Sequence, residues 1–127
     1  MVYFFLLSQP INDLANLYTG VFEKEFNGCF RFSIARSPGF PGLDFVNVVD
    51  PGVSKGEAMK ELANFLGVNT AEVIAIGDGL NDIPLLEAAG LPVAMGNAFP
   101  EVKKVAKYTT LDVDHGGVAE VVKKFLL

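Results

Sequence analysis

The chain has 127 residues, the length of one ordinary domain, and is 50% apolar and 20% charged, which suits a packed core and excludes a disordered segment. Its net charge of -5 argues against a nucleic-acid partner, because phosphate backbones are bound by basic surfaces. One cysteine, Cys29, excludes an internal disulfide framework and fits a reducing compartment; with no CxxC motif and no histidine nearby it reads as a small buried residue.

Residues 3–7 form an apolar run of strand length. The run is too short for a membrane span and lacks the basic flank and cleavage site of a signal peptide, so a cytoplasmic location is expected. From Pro10 the period changes. Ile11, Leu14, Ala15, Tyr18, Val21, Phe22 and Phe26 recur at helical spacing, and Asn27-Gly28 stops the helix. Residues 30–35 alternate as a strand, 37–42 are a Pro/Gly turn, and 43–49 form another strand. This first region therefore reads β-α-β-β, its last two strands a hairpin. Arg31 and Arg36 fall on that hairpin, where solvated positions are a plainer reading than substrate contacts. Phe30, Phe32, Phe40 and Phe45 read as local core before they read as pocket lining.

Asp50-Pro51-Gly52 marks a boundary, after which helices and strands alternate. A helix over 56–66 carries Met59, Leu62, Ala63 and Leu66 on one face and ends at Gly67. A strand over 73–76, a helix over 83–89 and a strand over 91–95 make a βαβ unit, which demands parallel strands. A short helix over 100–106, an extended piece over 107–110 and a helix over 118–126 follow, the last with Val118, Val121, Val122 and Phe125 on one face.

The chemistry concentrates at residues 77–82, Gly-Asp-Gly-Leu-Asn-Asp, between the strand over 73–76 and the helix over 83–89. In open α/β sheets, ligands collect where strand carboxyl ends meet helix amino ends. Asp78 and Asp82 fall together there, and like charges held close need a cation or a proton between them. Mg²⁺ suits the position, since it takes oxygen ligands and uses one or two carboxylates beside a substrate phosphate. The plainer alternative is that Asp82 caps the helix ahead of Ile83-Pro84 and that the glycines serve the turn. A second element is Ser54-Lys55-Gly56 at the start of the helix that runs to Leu66. Lysine is locally unfavourable there, because the helix dipole already places positive charge at that end. An anion bound by Lys55 and the exposed backbone N–H groups would account for it; a solvated lysine is the alternative.

Ser54-Lys55-Gly56, Ile76-Gly77-Asp78-Gly79-Leu80-Asn81-Asp82 and Val93-Ala94-Met95-Gly96-Asn97-Ala98 together resemble the back half of a Cof-type phosphatase of the haloacid dehalogenase superfamily. Tyr108-Thr109-Thr110 and Gly116-Gly117-Val118 resemble the tail of that family. The resemblance implies an α/β fold with an incomplete Rossmann-like parallel sheet over 48–127, and an αββ remnant of the family's cap over 1–47. It implies that Lys55 holds the phosphoryl group and the catalytic carboxylate, that Asp78 ligates Mg²⁺, that Asp82 supports the metal's coordination shell, and that Asn81 touches phosphate or metal-bound water. The implied reaction is hydrolysis of small phosphorylated metabolites, often sugar phosphates, through an aspartyl-phosphate.

The family's nucleophile is the first Asp of an Asp-x-Asp-x-Thr motif on an early strand, and no such motif precedes the cap-like region. The chain is therefore expected to be a carboxy-terminal portion, inactive alone, complemented by a missing amino-terminal half or associated with copies of itself through exposed sheet edges. Asp112-Val113-Asp114 has Asp-x-Asp spacing, but the polar, short strand before it is a poor nucleophile strand. Asp114 reads as a loop or cap residue, and His115 as a surface turn residue. The alternatives are a metal- and phosphate-binding regulatory protein without hydrolysis, and the phosphorylation domain of an ion pump, which the lack of any apolar span after Met95 disfavours.

Overall fold

The computed structural model describes residues 3–8, 20–21, 24–26, 28–36 and 43–127. Most of the helix expected over 10–26, and Phe40 in the turn expected over 37–42, lie outside them; Gly20, Val21, Lys24 and Glu25 are helical. The chain divides into two compact units, Met1–Val53 and Ser54–Leu127.

The first unit holds a sheet of β1 (Tyr3–Ser8), β2 (Arg31–Arg36) and β3 (Leu43–Val49), in the order β1-β3-β2. Both pairings are antiparallel, with Tyr3 and Phe32 opposite Val48 from either side. The adjacency of β2 and β3 is the expected hairpin. Strand residues two apart share a face, so Val46 and Val48, both buried, mark the covered face of the central strand. Cys29 corrects an expectation. It is exposed, in the turn that leads into β2, where its N–H donates to the Phe26 carbonyl. Beside it Phe26 and Phe30 stack edge to face at 5.7 Å. At the boundary Asp50 turns the chain, its carboxylate and its carbonyl taking the N–H groups of Gly52 and Val53.

The second unit is α/β. Its elements are α1 (Lys55–Leu66), β4 (Ile74–Gly77), α2 (Ile83–Ala88), β5 (Leu91–Ala94), α3 (Pro100–Val105), β6 (Tyr108–Thr109) and α4 (Gly117–Phe125). Strand order is β4-β5-β6, all parallel, with Ile76 opposite Val93 and Val93 opposite Tyr108. Leu86, Val93, Val102 and Val121 are fully buried and fix the core between sheet and helices. Ser54 caps α1 by accepting from the Glu57 N–H, and Gly67 ends it in the left-handed conformation that glycine adopts without strain.

Two helix faces differ from expectation. On α1 only Ala63 of the apolar set is buried, whereas Leu62 and Leu66 are 57% and 61% exposed. On α4 Val121 is buried, whereas Val118, Val122 and Phe125 are exposed. Helical periodicity identifies a face of the right chemistry, but whether the face is covered depends on what packs against it. Gly56 lies where α1 meets α2: a Cβ there would sit 2.3 Å from the Pro84 carbonyl oxygen, a backbone atom that cannot rotate away. Gly56→Ala is expected to cost about 2 kcal/mol, within the range for overpacking a tight contact, read as a lower urea midpoint with an unchanged slope.

Candidate functional site

Strand β4 ends at Gly77, and the chain passes through one 3₁₀ turn, Leu80–Asp82, into α2. Asp82 does not cap α2. Its side chain folds back over the strand end, where Oδ2 accepts from the N–H groups of Asp78 at 3.1 Å and Gly79 at 3.0 Å. That return explains the glycines. A Cβ on Gly77 would lie 2.6 Å from the Asp82 Cβ, and one on Gly79 would lie 2.6 Å from the Asn81 Oδ1. Among the described residues neither has positive φ, so both serve close approach and not a left-handed turn.

The other Asp82 oxygen, Oδ1, pairs with the Lys55 ammonium. The pair is asymmetric: the Asp82 side chain is 9% exposed and that of Lys55 52%. Burial pushes the Asp82 carboxyl up, but Lys55 and the Gly79 and Asp78 amides outweigh it and hold it below its ordinary value of 3.8. Lys55 is thus neutralised from below by a carboxylate, which accounts for a lysine in the first turn of a helix. Its ammonium has three N–H donors, more than the bond to Asp82 uses.

Both oxygens of Asp82 are thus engaged within the chain. Lysine and backbone amides compensate its charge. Asp78 remains exposed at the carboxyl end of β4. Its carbonyl accepts from the Phe99 N–H, and its Oδ2 accepts from the Asn97 side-chain amide at 3.0 Å. Among the described residues no three acidic, histidine or cysteine side chains converge on a point. Asp78 is the exposed carboxylate that could give an oxygen to a hard divalent cation, whose other ligands would have to be water, phosphate or other oxygens. Asn81 lies in the same 3₁₀ turn, its side chain over Gly79.

Asn97 had no role in the sequence reading, although it stands just past β5, at the same sheet end as Asp78. The Asp112 motif is occupied locally: its Oδ1 takes the His115 N–H at 2.9 Å and faces the exposed His115 ring, and its carbonyl takes the Gly117 N–H. Asp114 does not cap α4, whose first turn starts from Gly116 in the left-handed region. On the far side, Glu120 accepts from the Tyr108 hydroxyl at 2.6 Å and meets the Thr110 hydroxyl, tying α4 to β6.

These bonds set a pH dependence. The Thr110 and Tyr108 hydroxyls hold Glu120 below 4.5, and His115 holds Asp112 below 3.8. A carboxyl whose folded pKa is depressed stabilises the fold fully above its ordinary value and loses that contribution as pH falls through the folded one. Asp82, Asp112 and Glu120 share this sign. The urea midpoint is expected to be flat from about pH 7 to 5 and to fall below about pH 4, less steeply in Asp82→Asn.

Comparison with known proteins gives the family. Residues 5–122 match the family model of haloacid dehalogenase-like hydrolases. The stress response protein YhaX of Bacillus subtilis is 41% identical over 94% of this chain and 43% of its own length. The phosphoglycolate phosphatase of Methanothermobacter thermautotrophicus is 41% identical over 64% of this chain and 37% of its own length. Among solved structures, a subclass IIB sugar phosphatase of the superfamily superposes with a TM-score of 0.73 at 29% identity, over 87% of this chain and 40% of its own. The chain thus spans less than half the length of these relatives and corresponds to their carboxy-terminal part. It belongs to the haloacid dehalogenase-like hydrolases, in the Cof-type, subclass IIB branch.

Proposed function

We propose that this chain is the lysine- and metal-bearing part of a Mg²⁺-dependent phosphatase of small phosphorylated metabolites, sugar phosphates among them, working in the cytoplasm. The observation that carries this reading is the Lys55–Asp82 pair: a buried carboxylate, fixed by two backbone amides, holds a half-exposed ammonium near the carboxyl end of β4. Membership of the family and the phosphatases among its relatives support the same reaction class.

Asp78 is the residue that would hold Mg²⁺, which when bound supplies charge neutralisation to phosphate oxygens. The roles of the chain's own residues follow from their placement. Lys55 donates N–H bonds to phosphoryl oxygens and stabilises the charge that develops as the ester bond breaks. Asp82 keeps that ammonium in place, so it is a positioning residue and not an attacking group. Asn81 binds phosphate from the 3₁₀ turn. The nucleophile of the aspartyl-phosphate route is a carboxylate that this sequence does not provide, and the chain alone is expected to be inactive.

A complementary segment fits the architecture. Strand β4 stands at one end of the order β4-β5-β6, so one of its edges is open among the described residues. An open strand edge favours pairing with another strand. The occupant is the amino-terminal half of the fold or, failing that, a second copy of this chain. A monodisperse monomer in light scattering would contradict self-association.

Phosphorus NMR of inorganic phosphate added to the chain, with and without Mg²⁺, tests the site itself. Line broadening is expected only with Mg²⁺, and is expected to vanish in Asp78→Asn and in Lys55→Met. Broadening that persists in both variants would overturn the assignment.

A further inference from the structure

We infer that Asn97 is the positioning residue for Asp78, holding its carboxylate in one orientation and bracing it against the turn that follows β6. This rests on the reading of Asp78 as a metal ligand only for its consequence, and not for the geometry.

Both ends of the Asn97 amide are engaged. Nδ2 donates to Asp78 Oδ2 at 3.0 Å, and Oδ1 accepts from the Val113 N–H at 3.1 Å. The assignment of N and O is fixed by chemistry, because a carboxylate only accepts and a backbone N–H only donates. A donor to an ionised carboxylate makes a charge-assisted bond, stronger than a neutral one. The brace is firm at its far end. The Gly96 N–H donates to the Leu111 carbonyl, and a Cβ on Gly96 would lie 2.7 Å from the Asp112 amide nitrogen, so the two loops are in backbone contact. The Val113 amide is presented by the turn that Asp112 closes upon His115 and Gly117. Asp78 is otherwise exposed and, without Asn97, its χ1 would be free to sample staggered alternatives.

Asn97 lies 19 residues from Asp78 in the chain, and the two are brought together by the β4–β5 pairing that aligns Gly77 with Ala94. Partners of this kind, one shell outside a metal-binding carboxylate, change metal affinity about 10- to 100-fold when removed.

The test uses the whole chain and two variants. Asn97→Ala removes both bonds. Asn97→Asp keeps an acceptor for Val113 but cannot donate to Asp78 when ionised. The first readout needs no metal: the Hα–Hβ scalar couplings of Asp78. In the native chain these are expected to report one χ1 rotamer, and in both variants an average of rotamers, with thermal midpoints within a few degrees of the native chain. A residue that merely stabilises the loop would shift the midpoint and leave the Asp78 couplings unchanged, and that result overturns the inference. The second readout is Mn²⁺ affinity, expected to be about 10-fold weaker in Asn97→Ala. If the native chain and Asp78→Asn take up Mn²⁺ equally, the metal reading of Asp78 fails, while the couplings still decide whether Asn97 positions it.

Discussion

Asp82→Ala is expected to lower the unfolding free energy by about 3 kcal/mol, and Asp82→Asn by about 1 kcal/mol. The contrast follows from what each Asp82 oxygen does. Oδ2 satisfies two part-buried N–H groups, those of Asp78 and Gly79. Alanine leaves both donors without an acceptor, at roughly 1–3 kcal/mol each, reduced where water enters the vacated space. Asparagine retains an amide oxygen for them and loses only the charge opposite Lys55. That ion pair is discounted because the lysine is half exposed and can turn to water. Equilibrium urea unfolding of the three proteins measures the difference. Equal losses in the two variants would mean that the ion pair, and not the amide bonds, holds the 77–82 turn.

The second large effect concerns catalysis. Once an attacking carboxylate is supplied, Lys55→Met is expected to reduce phosphate-ester hydrolysis by about 10²–10³-fold, the range for removing one preorganised donor from a charge that develops in the transition state. The variant keeps the length and apolar stem of lysine, so loss of packing contributes little. It also leaves Asp82 without its cation, yet Oδ2 keeps both amides, and the turn should survive. The loss should fall on kcat and kcat/KM together if Lys55 acts on the transition state; a rise in KM alone would assign it to ground-state binding. Lys55→Arg should rescue only in part, because its planar fork cannot occupy the same point beside Asp82.

Much of the fold was legible because its signals are local. The apolar run before Gly77, the Gly-Asp-Gly turn and the helical spacing of 56–66 and 83–89 placed β4, α1 and α2 to within a residue of their observed ends. The alternation of helix and strand implied the parallel sheet that β4, β5 and β6 form. A further local signal is the cap at Asn69-Thr70-Ala71-Glu72, where the Asn69 side chain accepts from the Ala71 N–H and the Glu72 carboxylate accepts from the Asn69 N–H.

What was not legible depends on tertiary pairing. Lys55 and Asp82 are 27 residues apart, and nothing in their spacing says that one neutralises the other. That the Asp82 carboxylate meets an ammonium from the first turn of another helix is visible only in the fold. Asn97 lacked a role for the same reason. Cys29, Leu62 and Leu66 are exposed although their chemistry favours burial, because composition ranks residues by preference and only packing decides each case.

The most direct measurement is Mg²⁺-dependent hydrolysis of an aryl phosphate by this chain, alone and mixed with the amino-terminal portion of YhaX that lies outside the match, each beside Asp78→Asn. The expected result is no turnover by the chain alone, turnover in the mixture, and loss of that turnover in Asp78→Asn. Turnover by the chain alone, unchanged in Asp78→Asn, would contradict both the assignment of the metal carboxylate and the need for a nucleophile from elsewhere.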